Sequence, residues 1–126
     1  MATSNYRELL VWQNGMELVR RVYCLTRCFP KEESFGLSSQ LQRAAVSIPA
    51  NLAEGHTRGT TREFLRYVVI AHGSLSELET LLAVASDLGY VDRTSMSELT
   101  QLCDRTGRML GALRRKLKEK LGTKKM

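Results

Sequence analysis

The two histidines are the first residues to test for chemistry, because imidazole is the commonest protein ligand of transition metals. His56 and His72 are the only histidines in the chain. Di-iron sites in helical bundles need Glu-x-x-His motifs on two helices, together with two further carboxylates. Ala53 and Val69 stand three residues before His56 and His72, so neither motif is complete. The sequence therefore predicts no metal centre.

The cysteines form an odd set, Cys24, Cys28 and Cys103, without the paired spacing of a zinc site. Cys24 and Cys28 lie one helical turn apart, close enough for a metal or redox pair, but no histidine is near them in sequence. We favour three reduced thiols in a reducing cytosol, and the metal or redox pair stays the alternative.

Nucleophilic catalysis has no recognisable machinery in this sequence. A reactive serine or cysteine needs a base within hydrogen-bond reach, and neither a nucleophile elbow nor a triad signature is present. Residues 55–59, Gly-His-Thr-Arg-Gly, lack the G-x-x-x-x-G-K-[ST] spacing of a phosphate-binding loop. We interpret them as a turn, with Gly55 just beyond the end of a helix. The chain is predicted to be non-enzymatic and to bind no cofactor.

A third group of polar residues is spaced to form a layer between two helices. Its members recur at helical intervals in two segments: Ser47, Asn51 and Glu54 in the first, Ser74 and Glu77 in the second. Hydrogen-bonded layers of this kind fix register and partner choice in bundles. A ligand-binding or catalytic site at the same residues is the alternative.

Basic residues make up the largest candidate site. Arg58, Arg62 and Arg66 follow one another at intervals of four, and a solvated charged face is the simplest interpretation of this set alone. The last segment, Asp104 to Met126, carries nine basic residues against two acidic ones, so the net charge of +6 is concentrated there. Its candidate cations are Arg105, Arg108, Arg114, Arg115, Lys116 and Lys118.

Taken together, the two basic sets favour contact with phosphates or with an acidic partner surface. No RNA-binding module with stacking aromatics is visible, so we expect RNA or DNA binding of low sequence specificity. The alternative is a protein-interaction scaffold that docks an acidic partner, for example a polymerase or reverse transcriptase.

Four helical segments must position these residues. Apolar stripes at spacings of three and four predict helices ending near Cys28, then over about 38–54, then over about 28 residues after Thr60, and last from Ser95 to about Leu121. Thr60 with Glu63 and Ser95 with Glu98 are spaced as capping boxes, and Gly89 ends the third helix.

The third helix carries two apolar rows, where one bundle seam needs only one. Either it is the central helix, or its second row meets another subunit. The second row consists of Tyr67, Ile70, Leu81, Val84 and Leu88.

Short connections between these helices predict an all-α, antiparallel, up-down-up-down four-helix bundle with a left-handed twist. Pro49 removes a backbone donor, so the second helix is predicted to kink near it. The chain reads as a single domain, 1–126, with a core over about 6–121 and a disordered tail over 122–126.

The bulk composition is that of an ordinary globular protein, with 126 residues, 43% hydrophobic and 25% charged. Arg7 and Glu8 interrupt any early apolar run, and no stretch reaches the roughly 20 apolar residues of a membrane span. We therefore expect a cytoplasmic protein without a membrane partner.

Several motifs together closely resemble the bacterial 23S rRNA intervening-sequence proteins, also called the S23 ribosomal protein family. The resemblance covers roughly residues 6–120, and no other family known to us joins these motifs in this order. The motifs are residues 10–13 (LVWQ), 29–33 (FPKEE), 36–41 (GLSSQL), 43–55 (RAAVSIPANLAEG), 63–64 (EF) and 71–79 (AHGSLSELE).

The resemblance implies an antiparallel bundle that assembles as a homopentamer. It supplies no catalytic residues. Distant relatives of the family are the accessory proteins of diversity-generating retroelements, which bind a reverse transcriptase and nucleic acid. Fold likeness is a weak warrant for function, so the process stays open.

Overall fold

The computed structural model describes the backbone of residues 5–125 and the side chains of residues 5–122. Single 3-10 turns lie at Tyr6–Glu8 and Lys31–Glu33. Within the described residues there is no strand, so the predicted all-α class is confirmed. The four α-helices are α1 (Leu10–Thr26), α2 (Leu37–Thr57), α3 (Thr61–Asp87) and α4 (Arg93–Lys125).

Each helix buries one apolar stripe in a common core. Leu18, Leu52, Leu78 and Leu110 come from the four different helices, and all are 0% exposed. Burying a leucine stabilises the fold by roughly 1.5–3 kcal/mol relative to leaving it in water. The first apolar row of α3 is buried from Val68 onward, as its spacing predicts.

Cross-helix contacts show the relative directions of neighbouring helices. Between α2 and α3, Ser47 contacts Ser74, whereas Gly55 faces Tyr67, so residue numbers rise on one helix as they fall on the other. Between α3 and α4 the corresponding pairs are His72 with Arg114 and Leu75 with Gly107. Between α1 and α4 they are Asn14 with Met109 and Arg21 with Glu98. The helices of each of these pairs therefore run antiparallel, and the full up-down-up-down order stays a prediction.

The predicted role of Gly55 is wrong. It lies inside α2, which continues to Thr57, and it is buried. A Cβ added at Gly55 would lie 2.5 Å from the Cβ of Tyr67. The glycine is thus required by the close approach of α3. The turn that follows uses Gly59, whose φ of +89° suits a residue without a side chain.

Two of the predicted helix boundaries are confirmed and one is wrong. The Thr60 side chain accepts a hydrogen bond from the Glu63 backbone N–H at 3.1 Å, which begins α3 as predicted. Gly89, with a φ of +81°, follows the end of α3. At the start of α4, however, the Asp92 carboxylate accepts from the Ser95 N–H at 2.8 Å, so Asp92 is the capping residue.

Pro49 lies within α2, which remains helical on both sides of it. Its ring is buried against α1, because a Cβ at Gly15 would lie 3.3 Å from the Pro49 Cδ. Gly15 therefore leaves room for the proline. The kink near Pro49 and the left-handed twist stay predictions.

The fourth helix is longer than the sequence predicts. It continues through residues 122–125, which were expected to form a disordered tail, and Met126 lies outside the described residues. A lone glycine such as Gly122 costs a helix only about 1 kcal/mol, which does not force it to end. At 33 residues, α4 is about 50 Å long.

Among the described helices, α3 alone is long and apolar enough to cross a membrane by length and composition. Core helices of bundles meet the same criterion, and one side of α3 carries the buried row from Val68 to Ala85. The core therefore accounts for one of the two apolar rows of α3, and the second row stays largely exposed in the single chain.

Candidate nucleic-acid interface and interhelix polar layer

The start of α3 and the second half of α4 lie at the same end of the bundle. His72 contacts Arg114, and because the helices are antiparallel, residues before His72 lie level with residues after Arg114. The end of α2 is there too, since Gly55 packs on Tyr67. We call this region, residues 5–15, 51–73 and 110–122, the basic end.

The charge of the described chain is divided unevenly between the basic end and the remainder. The basic end contains nine Lys and Arg residues and four Asp and Glu residues. Residues 16–50 and 74–109 contain eight basic and nine acidic residues. The tertiary structure therefore joins the two basic sets, which lie some fifty residues apart in the chain, at one end.

Arg58 is the most constrained of the α3-proximal arginines. Its Nη2 lies 3.0 Å from the Glu54 Oε2 and donates to the Tyr67 hydroxyl at 3.0 Å. The pKa of Arg58 is raised by its hydrogen bond to Glu54 and then by Tyr67. Both partners of the ion pair are about half exposed, so the pair is screened by water and contributes little stability.

Arg66 and Arg62 are freer to meet a ligand. The guanidinium of Arg66 lies 5.7 Å from the Tyr67 ring centroid and 3.9 Å from the Glu63 carboxylate, with two-thirds of its side chain exposed. Arg62 is exposed and belongs to none of the ion pairs formed among the described residues. Tyr67, which contacts both Arg58 and Arg66, was not among the predicted site residues.

On α4 the candidate cations divide into two groups. Arg114 is half-buried and lies 3.4 Å from the His72 Nδ1. Burial lowers the pKa of His72 and the adjacent Arg114 lowers it further, so both favour the neutral ring. The exposed candidate cations on this part of α4 are Arg115, Lys116 and Lys118, and Lys120 is exposed there as well.

Arg105 and Arg108 are exposed but do not belong to the basic end. Gly107 packs against Leu75 near the middle of α3, which places these two arginines about midway along the bundle. Asp104 beside them interacts with Glu79 strongly enough to add to the raised pKa of that carboxyl, whose main cause is burial. Their surroundings are thus partly acidic.

Three of the five predicted polar-layer residues meet between α2 and α3. The hydroxyls of Ser47 and Ser74 are 2.8 Å apart, and the Asn51 amide donates to the Ser47 hydroxyl at 2.9 Å and to its carbonyl at 2.7 Å. Ser74 can also donate to the Ile70 carbonyl. No buried polar side-chain atom in the described residues lacks a partner. This pairing favours the structural interpretation of the layer.

The two predicted carboxylates lie outside the layer. Glu54 turns toward Arg58, and Glu77 is exposed on the outer side of α3. Glu77 lines an open cleft of about 410 Å³ together with Arg43 and Phe35. Phe35 is 98% exposed, and it was missed because it lies in a loop outside every helical stripe. The sequence did contain one signal for this residue, namely an aromatic side chain that no helical stripe could bury.

Among the described residues, no three His, Cys, Asp or Glu side chains lie close enough together to hold a metal ion. The fold and its paired polar layer define an all-α helical-bundle protein whose most distinctive surface is electrostatic.

Comparison with known proteins identifies the family. A sequence profile described as "23S rRNA-intervening sequence protein" matches residues 7–112. The chain belongs to this family, which confirms the resemblance inferred from its motifs.

A similar solved structure is a protein with unknown function from the S23 ribosomal protein family of Bacteroides thetaiotaomicron. The TM-score is 0.76 at 21% identity, and the match covers 82% of this chain and 97% of that one. At this identity the likeness supports the fold alone. Curated proteins yield no match.

Proposed function

We propose that this protein is a non-enzymatic, oligomeric accessory protein of the cytoplasm that binds RNA or DNA with low sequence specificity. The observation that carries the proposal is the basic end, with nine basic residues against four acidic ones. Phosphate backbones bind such surfaces by releasing their condensed counterions. The long axis of α4 adds an extended row of cations to the shorter set on α3.

Low specificity follows from the kinds of groups present. Base readout needs side chains that reach base edges, or aromatic platforms on which bases stack. Tyr67, the aromatic ring beside the α3 arginines, is half-buried and already contacts Arg58 and Arg66. The other aromatic rings of the basic end, Tyr6, Trp12 and Phe64, are also partly buried. The candidate cations there are exposed except for Arg114, and cations contact phosphates irrespective of sequence.

The test is a binding titration with single-stranded and duplex RNA and DNA across salt concentrations. The variant Arg62→Gln/Lys116→Gln/Lys118→Gln removes three exposed cations from the basic end. Each lost phosphate contact should reduce the slope of log affinity against log salt by about 0.9, so the slope should fall by up to about 3. The matched control is Arg93→Gln/Arg105→Gln/Arg108→Gln, which removes the same charge elsewhere on α4 and should preserve most of the slope.

Two results would contradict nucleic-acid binding at the basic end. One is the absence of binding by the wild type at 50 mM salt. The other is an equal loss of slope in both triple variants, which would mean that net charge alone is responsible. If the wild type binds no nucleic acid but captures a protein from nuclease-treated extract, the scaffold alternative is supported instead. The scaffold alternative is supported by the local ion pairs of Arg58 and Arg66 with Glu54 and Glu63, since the same arginines could pair with carboxylates of a partner.

Self-association is the second part of the proposal, and the second apolar row of α3 supports it. Ile70, Val84 and Leu88 are 41%, 42% and 54% exposed in the single chain. They lie on the same stripe as Ser74 and Glu77, since positions 70, 74, 77, 81, 84 and 88 recur at intervals of four and three. This stripe borders α2 on the outer side of the bundle, where Ser74 contacts Ser47.

A second copy of this chain is the occupant that best fits that surface. The cleft beside the stripe is lined by one cation, Arg43, and one anion, Glu77, so two copies can supply opposite charges to each other. Phe35 projects at the rim of the same cleft and provides an aromatic anchor of the kind that dominates interfaces. The family resemblance implies a ring of five subunits, which we adopt as the expected assembly.

Replacing Phe35 with serine should dissociate the oligomer. Losing an aromatic anchor typically costs about 2 kcal/mol or more, which corresponds to a rise of at least roughly 30-fold in the subunit dissociation constant. Light scattering at a series of concentrations measures it, and Leu10→Ala, an exposed leucine on α1, is the control. A wild type that is monomeric at micromolar concentration, or a Phe35 variant that assembles normally, would refute this interface.

A further inference from the structure

Two of the three cysteines line one cleft at the opposite end of the molecule from the basic end. Cys24 lies in the last turn of α1 and Cys28 two residues beyond the helix, and both side chains are exposed. They border a cleft of about 290 Å³ that extends to the start of α4, where Asp92 and Glu98 also line it. Neither thiol has a part in the proposed nucleic-acid or subunit contacts.

The spacing of the pair suits a bridging ion better than a disulfide. Helix α1 ends at Thr26, and the chain reaches Cys28 through a tight turn in which Arg27 has helical φ and ψ and the Cys28 N–H donates to the Leu25 carbonyl, three residues back, at 3.1 Å. Residues four apart on a regular helix have Cβ atoms about 5–6 Å apart, which sets the scale for this pair. A disulfide needs about 3.5–4.5 Å between Cβ atoms and about 2 Å between sulfurs. Two thiolates on one metal ion keep their sulfurs up to about 4.6 Å apart, taking the zinc–sulfur bond length of about 2.3 Å, so a bridging ion tolerates a wider Cβ separation.

The side chains around the two cysteines favour a metal ion that is stable with only two protein ligands. No third metal-binding side chain completes a cluster with this pair among the described residues. Thiolates are soft ligands that select Cu⁺ over hard cations such as Mg²⁺ and Ca²⁺. Asp92 and Glu98 line the same cleft, and Arg21, 3.3 Å from Glu98, places a positive charge beside the two thiolates.

We propose that Cys24 and Cys28 together form a two-thiolate site for one Cu⁺ ion. Binding breaks two S–H bonds, forms two Cu–S bonds and releases two protons, with no change in the oxidation state of copper or sulfur. The ion must therefore arrive already reduced, as it is in a reducing compartment. The site is independent of the basic end.

The third cysteine provides an internal control. Cys103 is 1% exposed in the core between helices, and burial, followed by Glu79 and Asp104, raises its pKa to about 12. A thiol that stays protonated at neutral pH does not bind the ion. Cys103→Ala removes one sulfur from the chain and leaves the cleft unchanged.

The experiment is an anaerobic competition between the full chain and a coloured Cu⁺ chelator. The wild type and Cys103→Ala should each retain one Cu⁺ per chain. Altering even an outer partner of a metal ligand costs 10–100-fold in affinity, so Cys24→Ser and Cys28→Ser should each weaken binding by about 100-fold or more. Circular dichroism confirms that each variant is folded.

Three outcomes would overturn the proposal. The first is a wild type that yields all its copper to the chelator, and the second is a single serine variant that binds as tightly as the wild type. The third is a copper-dependent rise in mass by light scattering, because it would place thiolates of two chains on one ion.

Discussion

Replacing Gly55 with alanine is expected to destabilise the protein by about 2 kcal/mol, because overpacking a tight contact costs about 1–3 kcal/mol. The added Cβ would lie 2.5 Å from the Tyr67 Cβ and 3.3 Å from the Phe64 Cδ1. The nearest atom is a Cβ fixed to the α3 backbone, so a change of side-chain rotamer cannot relieve the contact. Helices α2 and α3 must separate, which also loosens the Ser47–Ser74 hydrogen bond nearby.

The matched control is Gly73→Ala on α3. An added Cβ there has no heavy atom within 4 Å, and the residue is exposed. Alanine favours a helix over glycine by roughly 0.5–1 kcal/mol, so this variant should be more stable than the wild type. Urea unfolding followed by circular dichroism measures both. A Gly55→Ala variant that is as stable as the wild type, or more stable, would contradict the close packing of α3 on α2 at this residue.

Truncating Leu78 to alanine should have an equal or larger effect. Leu78 is 0% exposed on the first, buried apolar row of α3, and leucine-to-alanine substitutions in a core cost about 2–5 kcal/mol. The loss combines the transfer of the side chain to water with the cavity that remains. The protein has one core, so unfolding should stay cooperative while its midpoint falls.

Leu10→Ala is the control for the core truncation. Leu10 is 66% exposed, and truncating it should change the unfolding free energy by less than about 0.5 kcal/mol. Because the proposed self-association would stabilise folded subunits by mass action, each variant is measured at several protein concentrations. Equal losses in the Leu78 and Leu10 variants would contradict the assignment of the buried row of α3.

The proposed nucleic-acid surface and copper site are separable by experiment. The basic end depends on Arg62, Lys116 and Lys118, whereas the thiolate site depends on Cys24 and Cys28. Antiparallel packing places these sets at opposite ends of the bundle, so variants of one set should leave the other property unchanged. Loss of nucleic-acid binding alone would thus refute the proposed function without touching the copper site.

Local chemistry was predictable wherever a few adjacent residues decide the backbone. Thr60 with Glu63 caps α3, and Gly89 takes the positive φ that follows it. At the start of α4 the prediction failed, because Asp92 and Ser95 are both good capping residues and lie within one turn of each other. Sequence spacing does not decide between two adjacent candidates.

The polar layer shows where spacing stops being informative. Ser47, Asn51 and Ser74 share faces by helical period, and they do meet. Glu54 has the same spacing but pairs with Arg58, four residues on, because a long exposed carboxylate gains more from a nearby cation than from burial. The serines and Asn51 therefore differ from Glu54 in side-chain rotamer and in hydrogen-bond partner, and both of these depend on the tertiary contacts.

By itself the sequence determined four helices, their apolar rows and the family, because these depend on periodicity and motifs within continuous segments. Only the tertiary structure decided that Gly55 is a packing residue, that Arg105 and Arg108 lie apart from the other cations, and that Cys24 and Cys28 share a cleft. The physical reason is that each of these facts depends on the register between helices. Register is fixed by contacts between residues of different helices, such as Gly55 with Tyr67 and His72 with Arg114. The spacing of residues within one helix does not reveal such contacts.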